Sequence, residues 1–446
     1  MSQFKDGLKK ARGGMVFLFG ITFAFGTVFG LEQWQPKKTN TMVVANAINL
    51  IEPESLPLRD HRPLNATEQE MAQTAWTYFS NNTIEDTGLV NSVDGYTAAT
   101  LWDTSSYMLA LVSARDLGII DTSEFDSRLR KLLKTLAKIP LFEDRLPNKA
   151  YSTTTASMTT YDNQPTDRGV GWSAIDIGRV MVPFNVLVWN NPEYTELVNE
   201  VLSGWDIAAI SADAEMIGAD IDDNEKTLYL QEGRLGYEEY AAKSLALAGL
   251  DFSEALNYSQ YFEYVEIDGV EVGTDLRTPD KFDAINFVVS EPYVLDGIEF
   301  GWDRYSRSLA YSVYQAQAAR YKRTGKVTAV SEDNIDQAPY FVYNTVFADG
   351  KAWNAVTEAG EDASKFKTLS SKAAIGWYAL YDTPYTETLL KSIKNNFDAD
   401  KGWYAGIYEE SGKSNKALTA NTNAIILESL RYIKLGPMVS VGLGSI

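Results

Sequence analysis

The residues best suited to chemistry lie in Leu235-Gly236-Tyr237-Glu238-Glu239-Tyr240, which runs into the small-residue segment Ala241–Gly249. Two carboxylates between two tyrosines open what reads as a buried helix. An acid there is costly unless paired or protonated, so such a position is often a working one. Aromatic and acidic residues keep company elsewhere too: Trp102-Asp103, Trp172 with Asp176, and Trp302-Asp303. Glu299 stands shortly before Trp302, and Glu409 follows the aromatic stretch Trp403–Tyr408. In such pairs the aromatic face can stack on a sugar ring while the acid acts on a glycosidic oxygen or on water. Each has a plainer alternative. The helix dipole alone favours an acid such as Asp103 in a first turn. Asp176 reads as one turn inside its helix, where capping does not explain it, and there the competitor is a salt bridge to Arg179 at i+3.

Composition removes most rival chemistries. One histidine, His61, and no cysteine exclude Ser-His-Asp and Cys-His nucleophile systems, thiolate or multi-histidine zinc sites, and disulfides. Carboxylate chemistry remains, with 60 Asp and Glu beside 10 Trp and 25 Tyr. The net charge is −20; the first 38 residues are basic, leaving about −24 on the rest. Such a body repels nucleic acid and acidic polymers. A neutral carbohydrate fits better. No metal or organic cofactor is implied.

Six segments are apolar or small nearly all round, as expected of helices buried on both sides: 101–117, 172–189, 237–249, 302–321, 369–381 and 418–432. Amphipathic stretches alternate with them. In 123–138, Phe125, Leu129, Leu132, Leu133 and Leu136 share one face. Pro384 after Thr383 opens another such helix. Six buried helices interleaved with outer ones predict an all-α (α/α)6 toroid, with short β-hairpins such as 261–272 and 402–408 on its rim. In a toroid the helix starts would converge on one mouth.

The N-terminus carries an address. Met15–Leu31 is a 17-residue apolar run preceded by Lys5, Lys9, Lys10 and Arg12, which keeps the terminus cytoplasmic. Its length is at the lower limit for a span and slightly above that of a signal peptide's apolar region. No small-x-small cleavage site follows directly. The expectation is a cytoplasmic tail 1–14, an uncleaved transmembrane helix 15–31, a proline-bearing linker 32–66 and a domain 67–446. That domain would lie in the bacterial periplasm, with secretion after cleavage as the alternative.

Several motifs resemble bacterial glucoamylase-like domains. Thr87-Gly88-Leu89-Val90 with Tyr96–Ile120 looks like their opening helix, and Trp172–Arg179 is similar to their Ser-x-Ile-Asp-Thr helix. Gly236–Tyr240 with Leu245–Gly249 looks like their Tyr-Asn-Glu-Tyr helix. The tail 402–430 resembles an uncharacterised bacterial family of the same grouping. Those domains have an (α/α)6 fold and include β-1,2-glucanases. The resemblance implies that Glu239 is the general acid and Asp176 the base or water-positioning residue. Glu238 stands where they have Asn, and Ile177-Gly178 where they have Thr-Ala.

The resulting expectation is a membrane-anchored, inverting glycoside hydrolase acting on a neutral β-glucan, with β-1,2-glucan favoured. Glu239, Asp176 and Asp103 would be catalytic. Trp102, Trp172, Tyr237, Tyr240, Glu299, Trp302, Trp403 and Glu409 would contact the substrate. Inversion would set the two working carboxyls about 6.5–9.5 Å apart. A catalytically silent glycan-binding or polysaccharide-synthase accessory protein would keep the aromatic mouth yet tolerate loss of Glu239. An α-helical envelope scaffold would lack a cleft.

Overall fold

The structure, a computed structural model, describes residues 47–278, 282 and 285–439. The expected span 15–31 lies outside the described residues. Among those described, no helix is long and apolar enough to cross a membrane.

The helices, in chain order, begin with α1 Ala66–Asn82, α2 Leu101–Leu117 and α3 Thr122–Leu136. Next come α4 Ala174–Asn190, α5 Thr195–Ser203 and α6 Tyr237–Leu247. Helix α7, Glu291–Leu295, continues into a π-helical turn at Asp296–Phe300. The last four are α8 Arg304–Thr324, α9 Ser371–Leu380, α10 Pro384–Ile393 and α11 Ala420–Leu435. Six of them form a closed inner ring: α2 packs on α4, then α6, α7, α9 and α11 follow in turn, and α11 returns to α2. Outside it, α1 covers α11 and α2, α3 covers α2, α5 covers α4, α8 covers α7 and α10 covers α9. Where an outer helix would stand between α6 and α7, the described residues form a hairpin, Phe262–Ile267 with Val270–Asp275, packed on α8.

Local chemistry explains the inner and outer roles. In α2 the Thr100 hydroxyl accepts the Asp103 amide, and nearly every residue to Ala114 is buried. In α3 only the five residues of the apolar stripe are buried, so one side faces water. Close contact between α4 and α6 depends on Gly178, where an added Cβ would lie 2.6 Å from the Ala241 Cβ. The Ile-Gly pair in that motif is therefore a packing solution.

Two expectations need correction. The fourth inner helix is Glu291–Phe300, not 302–321. Residues 304–324 form the outer helix α8, with Arg304, Lys322 and Arg323 exposed. Size and polarity spread around α8, and its many Ala and Ser residues, imitate an inner helix. Residues 47–65, expected to belong to a free linker, lie on the domain. Arg59 donates to the Tyr378 carbonyl at 2.6 Å, its amide donates to Leu380, and Leu56 is buried.

The ring's axis is polar. Arg179, fully buried, binds Glu299 and the Tyr240 hydroxyl and lies 3.6 Å from Glu428. Tyr240 donates to the other Glu299 oxygen at 2.6 Å. Burial and then Glu299 push Glu428 well above the usual carboxylate range, so it stays protonated beside its neighbour. Removing one partner from such a buried set costs far more than the set contributes net.

Candidate active site

Helix starts are where backbone N–H groups lack partners, so short polar side chains gather there as caps and the local dipole is positive. In this ring each of the six inner helices sends one of its first three residues into a single connected cluster. Trp102 of α2 is its centre. Its backbone N–H lies 3.4 Å from Asp176 of α4, and its ring packs edge-on against Tyr237 of α6, centroids 5.5 Å apart. The indole N–H donates to Glu291 of α7 at 3.1 Å and reaches Asn421 of α11 at 3.3 Å. Asn421 donates to the same Glu291 oxygen at 2.8 Å, and Lys372 of α9 binds the other oxygen. Arg179 sits beneath the indole, 5.2 Å from the ring centre, which ties the mouth to the axial network.

Asp176 is only partly buried and holds an unusual proton affinity. Burial, then the like charges of Glu232 and Asp103, raise it to about 7. The Ser173 hydroxyl joins two of these acids, lying 3.3 Å from Asp176 Oδ1 and 2.6 Å from Glu232 Oε1. Glu232 also accepts the Ala174 amide at 2.7 Å, and burial raises its pKa as well. On the other side, Asp333 is pushed up to about 8 and Glu332 to about 6, each by burial against the opposing charge of Lys372. Burial disfavours the charge on Lys372, but Glu291, Asp333 and Glu332 outweigh it and raise its pKa. The cluster thus holds several acids that exchange protons near neutrality, Asp176 among them, beside an aromatic face and a fixed ion pair.

Several expected residues have other work. Glu239 is the third residue of α6, and its carboxylate accepts the Gly236 amide at 2.7 Å. Tyr237 and Tyr240 face Trp102, whereas Glu239 lies on the face that carries Lys243, which binds Asp296 and Asp303. It lines a separate small hollow with Glu238, Asp275 and Arg277. There burial, then Glu238, raise it to about 8, and Arg277 pairs with both Glu238 and Asp275. Asp103 caps α2 through Thr100. Asp176 also proves to be a third helical residue, with its amide bonded to Ser173, while Arg179 pairs elsewhere.

Trp172 and Trp403 are fully buried, donating to the carbonyls of Ile217 and Met71. Trp302 donates to the Tyr293 carbonyl and stacks on Tyr381 at the far end of α7. These three tryptophans are packing residues. Tyr240 and Glu299 belong to the axial network, and Glu409 is tied to Arg320 and Lys326. His61 packs edge-on against Tyr432. Among the described residues, no group of three or more acidic, histidine or cysteine side chains is arranged to hold a metal ion.

Of the predicted set, Trp102, Asp176 and Tyr237 meet in the cluster. The sequence reading missed Glu291, Lys372, Asn421, Glu232, Glu332 and Asp333. Glu291 had a signal: it precedes Pro292 and so opens a helix. Thr419, the cap of α11, likewise marks Asn421 as a residue of the first turn.

Solved structures share this architecture. A protein of Bacteroides caccae assigned as a glucoamylase matches with a TM-score of 0.61 at 10% identity, over 84% of this chain and 94% of that one. The endo-β-1,2-glucanase of Chitinophaga pinensis, solved with sophorotriose and glucose, gives 0.59 at 12% identity, over 84% and 94%. The endo-β-1,2-glucanase of Talaromyces funiculosus, solved with sophorose, gives 0.57 at 11% identity, over 83% and 84%. At these identities the likeness establishes the fold, a helical α/α architecture with small sheets, and bears out the resemblance read from the motifs. No curated protein matches the chain in sequence. Residues 70–436 match one family along almost the whole described domain, and the chain belongs to it: the family described as "Protein of unknown function (DUF3131)".

Proposed function

We propose that this protein is a glycoside hydrolase acting on a neutral β-glucan, with β-1,2-glucan the first choice because glucanases of that linkage share the fold. One observation carries the reading. Asp176 points into the cluster where the inner helix starts meet, its carboxyl 3.4 Å from the Trp102 backbone N–H and 3.3 Å from the Ser173 hydroxyl, and there it keeps a proton up to about pH 7. A carboxylic acid of that strength can protonate a leaving glycosidic oxygen at neutral pH. Asp176 is therefore the general acid, the role the motif resemblance gave to Glu239. Trp102, fixed by Glu291, Asn421 and Arg179, offers the sugar a rigid face. Glu332, ionised above about pH 6, is the preferred water-activating base.

The test is reducing-end release from linear and cyclic β-1,2-, β-1,3- and β-1,4-glucans. The wild type should cleave one of them, and Asp176→Asn should lose about 10²- to 10⁴-fold in kcat. Binding of a glucan with no turnover by the wild type would favour the accessory, glycan-binding reading instead. We further propose that residues 15–31 anchor the domain on the outer face of the bacterial inner membrane. Fractionation with protease access from the periplasm tests this, and recovery of a processed soluble form would refute it.

A further inference from the structure

Tyr161 has more than half of its surface, 60%, open to solvent. An exposed aromatic is ordinary by itself. What sets this one apart is how it is held and where. The strand Ala98–Ala99 leads directly into Thr100, the cap of α2. That strand pairs with Ala150–Ser152, which pairs with Met158–Thr159, so Tyr161 stands two residues beyond a strand built on the mouth. Its turn is fixed at both ends. Tyr96 donates its hydroxyl to the Tyr161 carbonyl at 2.6 Å, and Asn163 donates to the Thr97 hydroxyl at 3.2 Å. The backbone is thus tied to the segment that positions Trp102, while the side chain is left uncovered.

The surroundings say which way the side chain matters. Desolvation by the surrounding protein, then the carboxylates of Asp176, Glu232, Glu358 and Asp220, push the phenol well above 10. The hydroxyl therefore keeps its proton at neutral pH and remains a donor. Tyr343 approaches from another segment. It stacks on Phe287 with centroids 3.9 Å apart and planes 9° from parallel, and it is the register partner of Glu332. Glu332, Glu358, Asp176 and Glu291 all act on its phenol. Two aromatic residues from separate segments, Tyr161 in an exposed turn and Tyr343 stacked in a strand, thus share the field of Asp176.

We propose that Tyr161 is a sugar-positioning residue of this site, stacking on the ring that lies over Asp176 while the Phe287–Tyr343 pair forms the fixed wall. This inference rests on the glycoside hydrolase reading. An aromatic face excludes water from one side of a sugar and sets its tilt, and the phenol can donate to a ring hydroxyl.

The test uses the full chain carrying Asp176→Asn, so that sugar binds without turnover, with β-1,2-, β-1,3- and β-1,4-gluco-oligosaccharides followed by calorimetry. Adding Tyr161→Ala should weaken binding about tenfold or more, whereas Tyr161→Phe should stay within about threefold. In the Asp176-intact protein, Tyr161→Ala should raise KM by a similar factor with kcat nearly unchanged. Melting temperature should not move, since the side chain buries little. Equal oligosaccharide affinity with and without Tyr161→Ala would overturn this inference and leave the hydrolase reading standing. No binding and no cleavage of any glucan would overturn both.

Discussion

Asp176 and Glu239 occupy the same position, the third residue of an inner helix, on neighbouring helices of one ring. Their fates differ because of what each faces. Asp176 meets Trp102, Ser173 and Glu232 at the opening. Glu239 turns toward the outer layer and closes its own helix start through the Gly236 amide. Both carry raised proton affinities, so proton affinity does not identify the working acid. Direction does. A helix of 3.6 residues per turn sends Tyr237 and Tyr240 to one face and Glu239 to another.

The largest effect that could break this contrast comes from a matched pair of variants. Asp176→Asn should abolish most turnover, and Glu239→Gln should leave kcat within about threefold, measured on the same glucan. Equal losses would erase the distinction. Next in size is Lys372→Met, which strands Glu291 and Asp333 without their cation. It should cost about 3–5 kcal/mol in urea unfolding, because the pair is almost wholly buried.

The raised acids give a pH signature. Glu239 binds its proton more tightly folded, at about 8, than unfolded, so its contribution is fully present below about pH 4 and is lost as pH rises through 8. Glu239→Gln should therefore match the wild type near pH 4 and melt several degrees higher at pH 9. Thermal scans at both pH values decide this. For catalysis, Glu332 near 6 and Asp176 near 7 predict a narrow optimum in kcat/KM between those values. The smallest expected change is in Glu232→Gln, which removes a like charge from Asp176 and should move the alkaline limb of that profile to lower pH.

Helix order and type were largely legible in the sequence. Apolar stripes marked α3 and α10, and near-continuous apolar composition marked five of the six inner helices. The exception is instructive. α7 is short and ends in a π-helical turn, so its ten residues carried a weaker signal than the small-residue helix α8 behind it. That displacement moved Trp302 into the predicted mouth and left Glu291 out of it. Within the site, Trp102, Asp176 and Tyr237 could be read because they open helices with recognisable starts. Lys372 could not, since a lysine in an apolar helix is legible only once Glu291 and Asp333 stand opposite it. Large aromatics gave no guidance either. Trp172 and Trp403 look identical to Trp102 in composition, and only burial separates them.

The most direct test is a crystal structure of the Asp176→Asn protein with a bound gluco-oligosaccharide. The account predicts a sugar ring against Trp102 and Tyr161, with a glycosidic oxygen about 3 Å from the residue 176 side chain. A sugar seated instead in the Glu238–Glu239–Arg277 hollow, with the mouth vacant, would contradict it.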